Sequence, residues 1–558
     1  MFRTYYIQAI GLLLICALVQ LAGCSGRELD SMPDESLYGE VYLNISLSID
    51  SDDNRSRAGR PDEDENLVDG VGRENAVNTL HLFWKENGQW KVLSLNKSDF
   101  ITGNNGKIKI AFSKKEYPTL EGIEMWLGAN LSSEQVDAFM GIGIYKLKRV
   151  PDWANELAPM YSDFLGRGDI AMFCAESSAT TLVSSAPDEE YSISFRLKRL
   201  VAKVMVACKE NDQGYVPVVS KNEIDFKGWI NSSEVLYTLN GINRSTCIMQ
   251  NVDQGKPDYD ANVLDPNPAL KDYTDLYNTT DEEGYLNKIN SDFYYYEVTD
   301  LMLKNELYKV AKTVDSESNY TDGIYCPENT FILGDDDDVG KLESNPSAWG
   351  MITSVSIKAK FTPQMLNVEG ALFSFVLESS DVDEEVKTIV NEIQNVLQEG
   401  GNTIEDTNVY LVDCKKEKVA KVFLKYSLMY NGFLTEETGS DNGFPDETYF
   451  FHSDNNVYYT YGAAKLAFEA TDNTMELGNY RPYYDGWGFY YTYIDNRLVK
   501  KEAFVFYKHG QVERNRYYIL TVNSFSNPGA SAGNPSYVEV NTKVVPWKNG
   551  GNGNITLE

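Results

Sequence analysis

Histidine is almost missing from this 558-residue chain, with three in all. That leaves little material for a histidine-rich metal site or a histidine general base. Cysteine is scarce too. Beyond Cys16 and Cys24 there are five: Cys174, Cys208, Cys247, Cys326 and Cys414. They are widely spaced, odd in number and contain no CxxC pair, which excludes a disulfide framework and a zinc site. Small buried hydrophobes is the reading that fits. Basic residues are outnumbered, 50 against 83 acidic ones, for a formal net charge of -33. Such a surface repels phosphate backbones, so nucleic acid is not a partner. Proline is low at 18, against 37 Tyr and 24 Phe, a balance that leans toward strands. With 42% apolar and 24% charged residues the chain suits folded domains with real cores.

Long hydrophobic runs are also lacking, with one exception that is too short to span a bilayer. Residues Ile10 to Leu21 are apolar apart from Gly11 and Gln20, and Arg3 precedes them. This pattern fits the apolar core of a secretory signal. It ends in Leu21-Ala22-Gly23-Cys24, which resembles the bacterial lipobox. In lipoproteins carrying that motif the cysteine is lipidated and becomes the mature N-terminus. Residues 1–24 are therefore expected to be an export address, and no later stretch is long and apolar enough for a transmembrane helix.

After a polar tether comes the first strong pattern. Val41, Leu43, Ile45, Leu47 and Ile49 alternate strictly with polar residues, giving a strand with one apolar face. Asp50 to Arg73 is charged, contains Gly and Pro, and carries Arg55, Arg57, Arg60 and Arg73. It reads as an exposed, protease-accessible linker. Further strands are expected at 77–84, 107–112, 123–127, 236–239 and 247–249. Residues 192–206 alternate with a change of phase near Arg199, which predicts a bulge or a break into two strands. An acidic stretch from about 250 to 290 suggests a domain boundary at its start. In the second half, 354–361, 372–377, 407–412, 419–426, 489–494 and 517–522 read as strands. One helix is expected, with Val386, Ile389, Val390, Ile393, Val396 and Leu397 on one stripe, Asp381 and Glu384 at its start and Gly400-Gly401 at its end. The C-terminus returns to alternation at Val538, Val540 and Val544, followed by Pro546-Trp547 and a last short strand at 555–557.

Catalysis finds no candidate. His81, His452 and His509 lack nucleophile or ligand spacing. Gly141-x-Gly143 lacks a third glycine. The aspartate runs 50–53 and 335–338 lack EF-hand spacing and read as solvated turns. Arg167-Gly168-Asp169 is an integrin-type tripeptide, but tripeptides arise often by chance. What remains is an assembly argument. The chain opens with an apolar-faced strand, continues into an arginine-bearing loop and closes with another apolar-faced strand. Cutting the loop would let the first strand leave a groove, and another subunit's terminal strand could fill it by strand addition. Head-to-tail filling of that kind does not close, so it yields a filament.

Seven stretches in this order resemble one family. They are the lipobox; Ile45 to Ile49 followed by Ser56-Arg57-Ala58-Gly59; Phe195 to Val204; Pro327-Glu328-Asn329-Thr330; Ser356 to Pro363; Val512-Glu513-Arg514-Asn515-Arg516-Tyr517-Tyr518; and Val538-Glu539-Val540 through Val545-Pro546-Trp547-Lys548. On these the chain resembles the fimbrillins of Bacteroides-type bacteria, the type V pilins, most of all the shaft subunit of the short or minor fimbriae. The resemblance implies an all-β fold of two tandem transthyretin-like β-sandwich domains with a few short helices. It implies export through Cys24 to the outer membrane, and later a place in a fimbrium on the cell surface. It implies cleavage by an arginine-specific protease between Arg57 and Ala58, with Arg55 and Arg73 as alternatives. It also implies polymerisation with identical or related subunits through a donor strand bearing Val538, Val540, Val544 and Trp547. Adhesion to receptors on host or bacterial surfaces would follow.

The corresponding organisation is 1–24 signal and lipobox, 25–57 propeptide with the displaced strand, 58–250 first sandwich, 251–536 second sandwich and 537–558 donor strand. That terminal strand is expected to be loosely held before cleavage, the alternative being that it completes its own domain's sheet. No cofactor and no metal are called for. The glycine-rich Asn549 to Asn554 departs from the pattern, which leaves shaft and accessory or tip subunit both open. A polysaccharide- or ligand-binding surface lipoprotein is the alternative from another class, with exposed aromatics around Tyr483-Tyr484-Asp485-Gly486-Trp487.

Overall fold

The computed structural model describes residues 40–49, 68–69, 76–97, 101–102, 108–146, 165–166, 169–184, 189–219, 226–250, 293–313, 323–329, 353–380, 382–414, 418–420, 422–423, 449–452, 457–458, 463, 466, 480–483, 486–494, 498–501, 504–507, 512–525, 529, 536–538 and 540–548. Strands dominate. Six carry the argument: β1 (Glu40–Ile49), β2 (Ile108–Ser113), β3 (Glu189–Arg199), β4 (Val201–Cys208), β5 (Arg516–Val522) and β6 (Asn541–Lys548).

The first layer set is a ten-stranded sheet that contains β1, β2 and β3. Its far end is a hairpin, Thr79–Glu86 with Gln89–Asn96, turned by Asn87 and Gly88 at positive φ. Asn-Gly is the pair that a tight two-residue hairpin selects. Four strands separate Thr79–Glu86 from β2 in the sheet order. On a flat sheet that places them about 24 Å apart. Yet the rings of Trp84 and Phe112 meet edge to face with centroids 6.3 Å apart. The sheet therefore curls over until its two ends pack across one core, as in the sandwich that the resemblance implies.

Within β3, Tyr191, Ile193, Phe195 and Leu197 are buried, while the residues between them are half-buried or exposed. At Leu200 the chain leaves that sheet. Every residue of β4 is buried on both faces. β4 runs parallel to β5 and antiparallel to Ile324–Pro327 in a six-stranded sheet that also holds β6. The phase change near Arg199 thus marks a break into two strands belonging to different sheets. Sheet membership changes at Leu200. A second six-stranded sheet holds Phe226–Asn240, Ser354–Pro363 and Trp487–Tyr493. Val204 and Val206 of one sheet and Tyr237 and Ile357 of the other belong to one buried cluster.

The expected helix spans Glu384–Glu399, with Val386 and Val390 buried. Its cap is Asp383, whose carboxylate accepts from the Glu385 amide at 2.9 Å, and not Asp381. Two expected strands are helical. Residues Gly370–Glu378 form a helix with Leu372, Phe373 and Val376 buried, and the described residues of the 419–426 stretch are helical as well. A short, continuously apolar run carries no period, so it cannot distinguish a buried helix from a strand. No helix among the described residues is long and apolar enough to cross a membrane.

Candidate functional site

β1 lies in the interior of its sheet. On one side it pairs in parallel with β3, from Val41 opposite Glu189 to Ile49 opposite Leu197. On the other it pairs antiparallel with β2, from Glu40 opposite Ser113 to Ile45 opposite Ile108. Its backbone is satisfied on both sides, and its removal would leave two facing rows of unpaired donors and acceptors. Val41, Leu43 and Ile45 are 0% exposed. Leu47 is partly buried against the same core. The Ile49 backbone pairs with Leu197, and its side chain lies outside the described residues. Full burial of the first three contributes about 5–9 kcal/mol, an upper estimate against an extended chain.

Two ion pairs cross β1 from wall to wall. Lys109 Nζ of β2 reaches Glu190 Oε1 of β3 at 2.7 Å. It also sits 4.1 Å from the ring centre of Tyr42, while Asn44 Nδ2 donates to Glu190 Oε2 at 3.4 Å. Lys114 Nζ, just beyond β2, reaches Glu189 Oε1 at 2.7 Å, and Tyr191 Oη donates to the other oxygen of Glu189 at 3.2 Å. The lysine hydrogen bonds hold both carboxyls below the usual carboxylate range. Side chains alternate along a strand, so Glu190 shares the outer face with Ser192 and Ser194, and Glu189 shares the core face with Tyr191 and Ile193.

The C-terminal strand is paired within its own chain. β6 runs antiparallel to β5, from Arg516 opposite Pro546 to Thr521 opposite Asn541. Val68–Asp69 adds in parallel at Trp547 and Lys548. Val538 and Val540 are buried, at 1% and 5% exposure. Val544 stands opposite Tyr518 in the ladder, and the side chains of Val544 and Trp547 lie outside the described residues. The expectation of a loosely held strand therefore meets one that is hydrogen-bonded over six register pairs. The physical reason is β5, whose backbone would otherwise be a bare edge.

Cys24, Arg57 and Ala58 lie outside the described residues, as do His509 and the aspartates at 335–338. His81 sits in Thr79–Glu86 with its Nδ1 2.8 Å from Ser94 Oγ, and burial pushes its pKa down, keeping it neutral. Among the described residues no three His, Cys, Asp or Glu side chains gather as a metal site. The face of Trp487 is occupied by Lys358, whose Nζ lies 4.8 Å from the ring centre. Sequence reasoning missed the two lysine–glutamate pairs. Each links residues more than 70 positions apart, and only the placement of β1 between β2 and β3 brings them together.

No family model matches the chain, and no curated protein matches it. Solved structures do overlap it. One from Parabacteroides distasonis, assigned to cell adhesion, shares 10% identity at a TM-score of 0.35 and covers 91% of this chain and 99% of its own. A fimbrilin from Porphyromonas gingivalis shares 12% at 0.34, covering 91% and 99%. The tip fimbrial protein of the same organism, with a C-terminal truncation, shares 10% at 0.30, covering 91% and 100%. At such identity and overlap no residue role carries across from them.

Proposed function

We propose that the chain is a structural subunit of a fimbrium, made as a lipoprotein anchored through Cys24 and switched to assembly by cleavage after Arg57. The observation that carries this reading is the position of β1. It is an interior strand, paired on both sides, and it is followed at once by an arginine-bearing segment. Cutting that segment leaves β1 held only by non-covalent contacts. Its departure opens a groove with three apolar pockets and two unpaired strand edges, which a strand of another copy can fill. The donor is the C-terminal segment with Val538, Val540, Val544 and Trp547, which must first leave β5. Lipidation, the protease and the cleavage position rest on the sequence pattern alone. Adhesion to host or bacterial surfaces belongs to the same reading.

The test uses purified chain before and after trypsin, run on a native gel, with N-terminal sequencing of any polymer. An oligomer ladder that appears only after cutting, with subunits beginning at Ala58, supports the reading. Polymers that begin at Cys24 or Ser25 overturn it. A second reading is favoured by the pairing of β6 with β5. If β6 never leaves its own sheet, the chain accepts a strand but donates none, which makes it an accessory or tip subunit. Mixed chains separate the two, because a non-donating subunit ends a filament and does not extend it.

A further inference from the structure

Residues 41–45 pair on both sides, with β3 and with β2. Among the described residues, 46–49 pair only with β3. Burial falls along β1, since Val41, Leu43 and Ile45 are fully buried and Leu47 only partly. Both carboxylates of the wall-to-wall ion pairs stand opposite the doubly paired half. Glu189 stands opposite Val41 and Glu190 opposite Tyr42, while Lys109 stands opposite Asn44. One carboxylate belongs to the core-face register of β3 and the other to the outer face. The N-terminal half of β1 therefore runs between two straps, one on each face, and among the described residues no ion pair spans the half next to the arginine-bearing segment.

We propose that Lys109–Glu190 and Lys114–Glu189 form a two-sided latch on the first strand, so that a severed β1 unzips from Ile49 and is released last at Val41–Asn44. The latch deepens the assembly reading and rests on it for its biological use. One pair ties β2 to β3 and the other ties the residue just beyond β2 to β3, so residues 41–44 leave only after the carboxylates and ammoniums separate. By burial and by the ion pairs among the described residues, the end that a cut frees is the end held least. The straps thus delay loss of the strand without opposing the first steps of its exit.

Hydrogen–deuterium exchange of the intact full chain tests the latch without any protease. Amides of 46–49 should exchange about tenfold or more faster than those of 41–45. Glu189→Gln with Glu190→Gln should speed exchange in 41–45 by roughly two- to thirtyfold, the span expected for two half-exposed pairs. The 46–49 amides should stay within about twofold of wild type, as local opening there breaks neither pair. Wild-type chain in about 1 M salt, where the screening length is about 3 Å, should behave like the variant, and this arm needs no substitution to fold. Exchanging the charges, Lys109→Glu with Glu190→Lys and Lys114→Glu with Glu189→Lys, should restore slow exchange. One uniform rate along β1, or slow exchange that survives both the substitutions and the salt, overturns the latch. Failure of the assembly reading looks different: a chain cut after Arg57 would retain the 25–57 fragment by intact mass, whatever the exchange rates show.

Discussion

The Arg199 guanidinium donates to Asn515 Oδ1 at 2.9 Å, across 316 residues of sequence. Arg199 is the last residue of β3, and Asn515 immediately precedes β5. Both are buried. The Asn515 amide also donates to Val201 O at 2.9 Å, so one residue ties the wall of the β1 groove to the sheet that holds β6. Next to it, Arg514 pairs with Glu328 at 2.8 Å and donates to the carbonyls of Ile248 and Cys247.

Asn515 has a φ of 59°, in the left-handed region that asparagine tolerates. Asn515→Ala loses a hydrogen bond to a buried cation and adds backbone strain, so it should cost about 2–4 kcal/mol. Asn515→Gly removes the same bond without the strain and should recover about 1 kcal/mol of that loss. Urea unfolding of the two variants measures the difference. Equal losses would mean the backbone conformation is not at issue.

Leu43 and Asn44 are neighbours on β1 with opposite surroundings. Leu43 is 0% exposed, between Tyr191 and Ile110 in the register. Leu43→Ala should destabilise the chain by about 2–5 kcal/mol through lost burial and a cavity. Asn44→Ala, on the outer face, should stay within about 1 kcal/mol. Thermal melts of the uncut chain check the contrast, and in cut chain the leucine variant should shed its first strand sooner.

The Glu190 carboxyl sits below its ordinary value of 4.5 chiefly because Lys109 donates to it, with Asn44 adding a weaker bond. A carboxyl lowered by folding stabilises the fold above its ordinary pKa, and that contribution fades as pH falls through the lowered value. The stability gap between wild type and Glu190→Gln should therefore be full at neutral pH and shrink below about 4.5. Paired denaturant titrations across that range read it. A gap that persists in acid would show that the ion pair is not its source.

Burial pushes the thiols of Cys174 and Cys208 up to about 12. Both are at most 1% exposed, so neither offers a thiolate or access to a reagent. Maleimide labelling of native chain, read by peptide mass, should leave both unmodified, and denaturant should render both reactive. Labelling of Cys174 in the native state would contradict the core around Leu127, whose amide lies 3.3 Å from its sulfur.

Period-2 alternation made β1 and β3 legible, because a half-buried strand must alternate, whereas the stretch expected as one strand from Val538 to Val544 divides, Val538 bonding to Tyr491 in one sheet and β6 starting at Asn541 in another. The phase change near Arg199 was legible for the same reason, since each sheet imposes its own inward face. Other features left no local trace. Gly370–Glu378 is apolar all round, so its helix had no stripe to read. The Asp383 cap was misplaced by two residues, an offset that pattern alone does not resolve. The pairs Lys109–Glu190 and Arg199–Asn515 join residues that only the fold makes neighbours. Whether β6 joins its own sheet or another subunit was left open because alternation specifies a face to bury and does not specify which edge the strand joins.

That last ambiguity yields the prediction that matters most for assembly. Deleting residues 537–558 removes the buried Val538 and Val540 and bares the edge of β5. It should therefore lower the melting temperature of the isolated chain whether or not the segment is a donor, so truncation alone decides little. A synthetic peptide of residues 537–548 added in excess to freshly cut chain is a cleaner probe. If the groove vacated by β1 takes this strand, the peptide should occupy it, cap each subunit and shorten the oligomer ladder in proportion to its concentration. A peptide with Val540→Asp should cap poorly, because an ionised carboxylate in an apolar pocket costs several kcal/mol. A shuffled peptide that loses the alternation should not cap, since a strand out of phase turns its apolar side chains away from the core. A ladder untouched by the native peptide would assign this strand to its own sheet alone and leave the donor to be sought elsewhere.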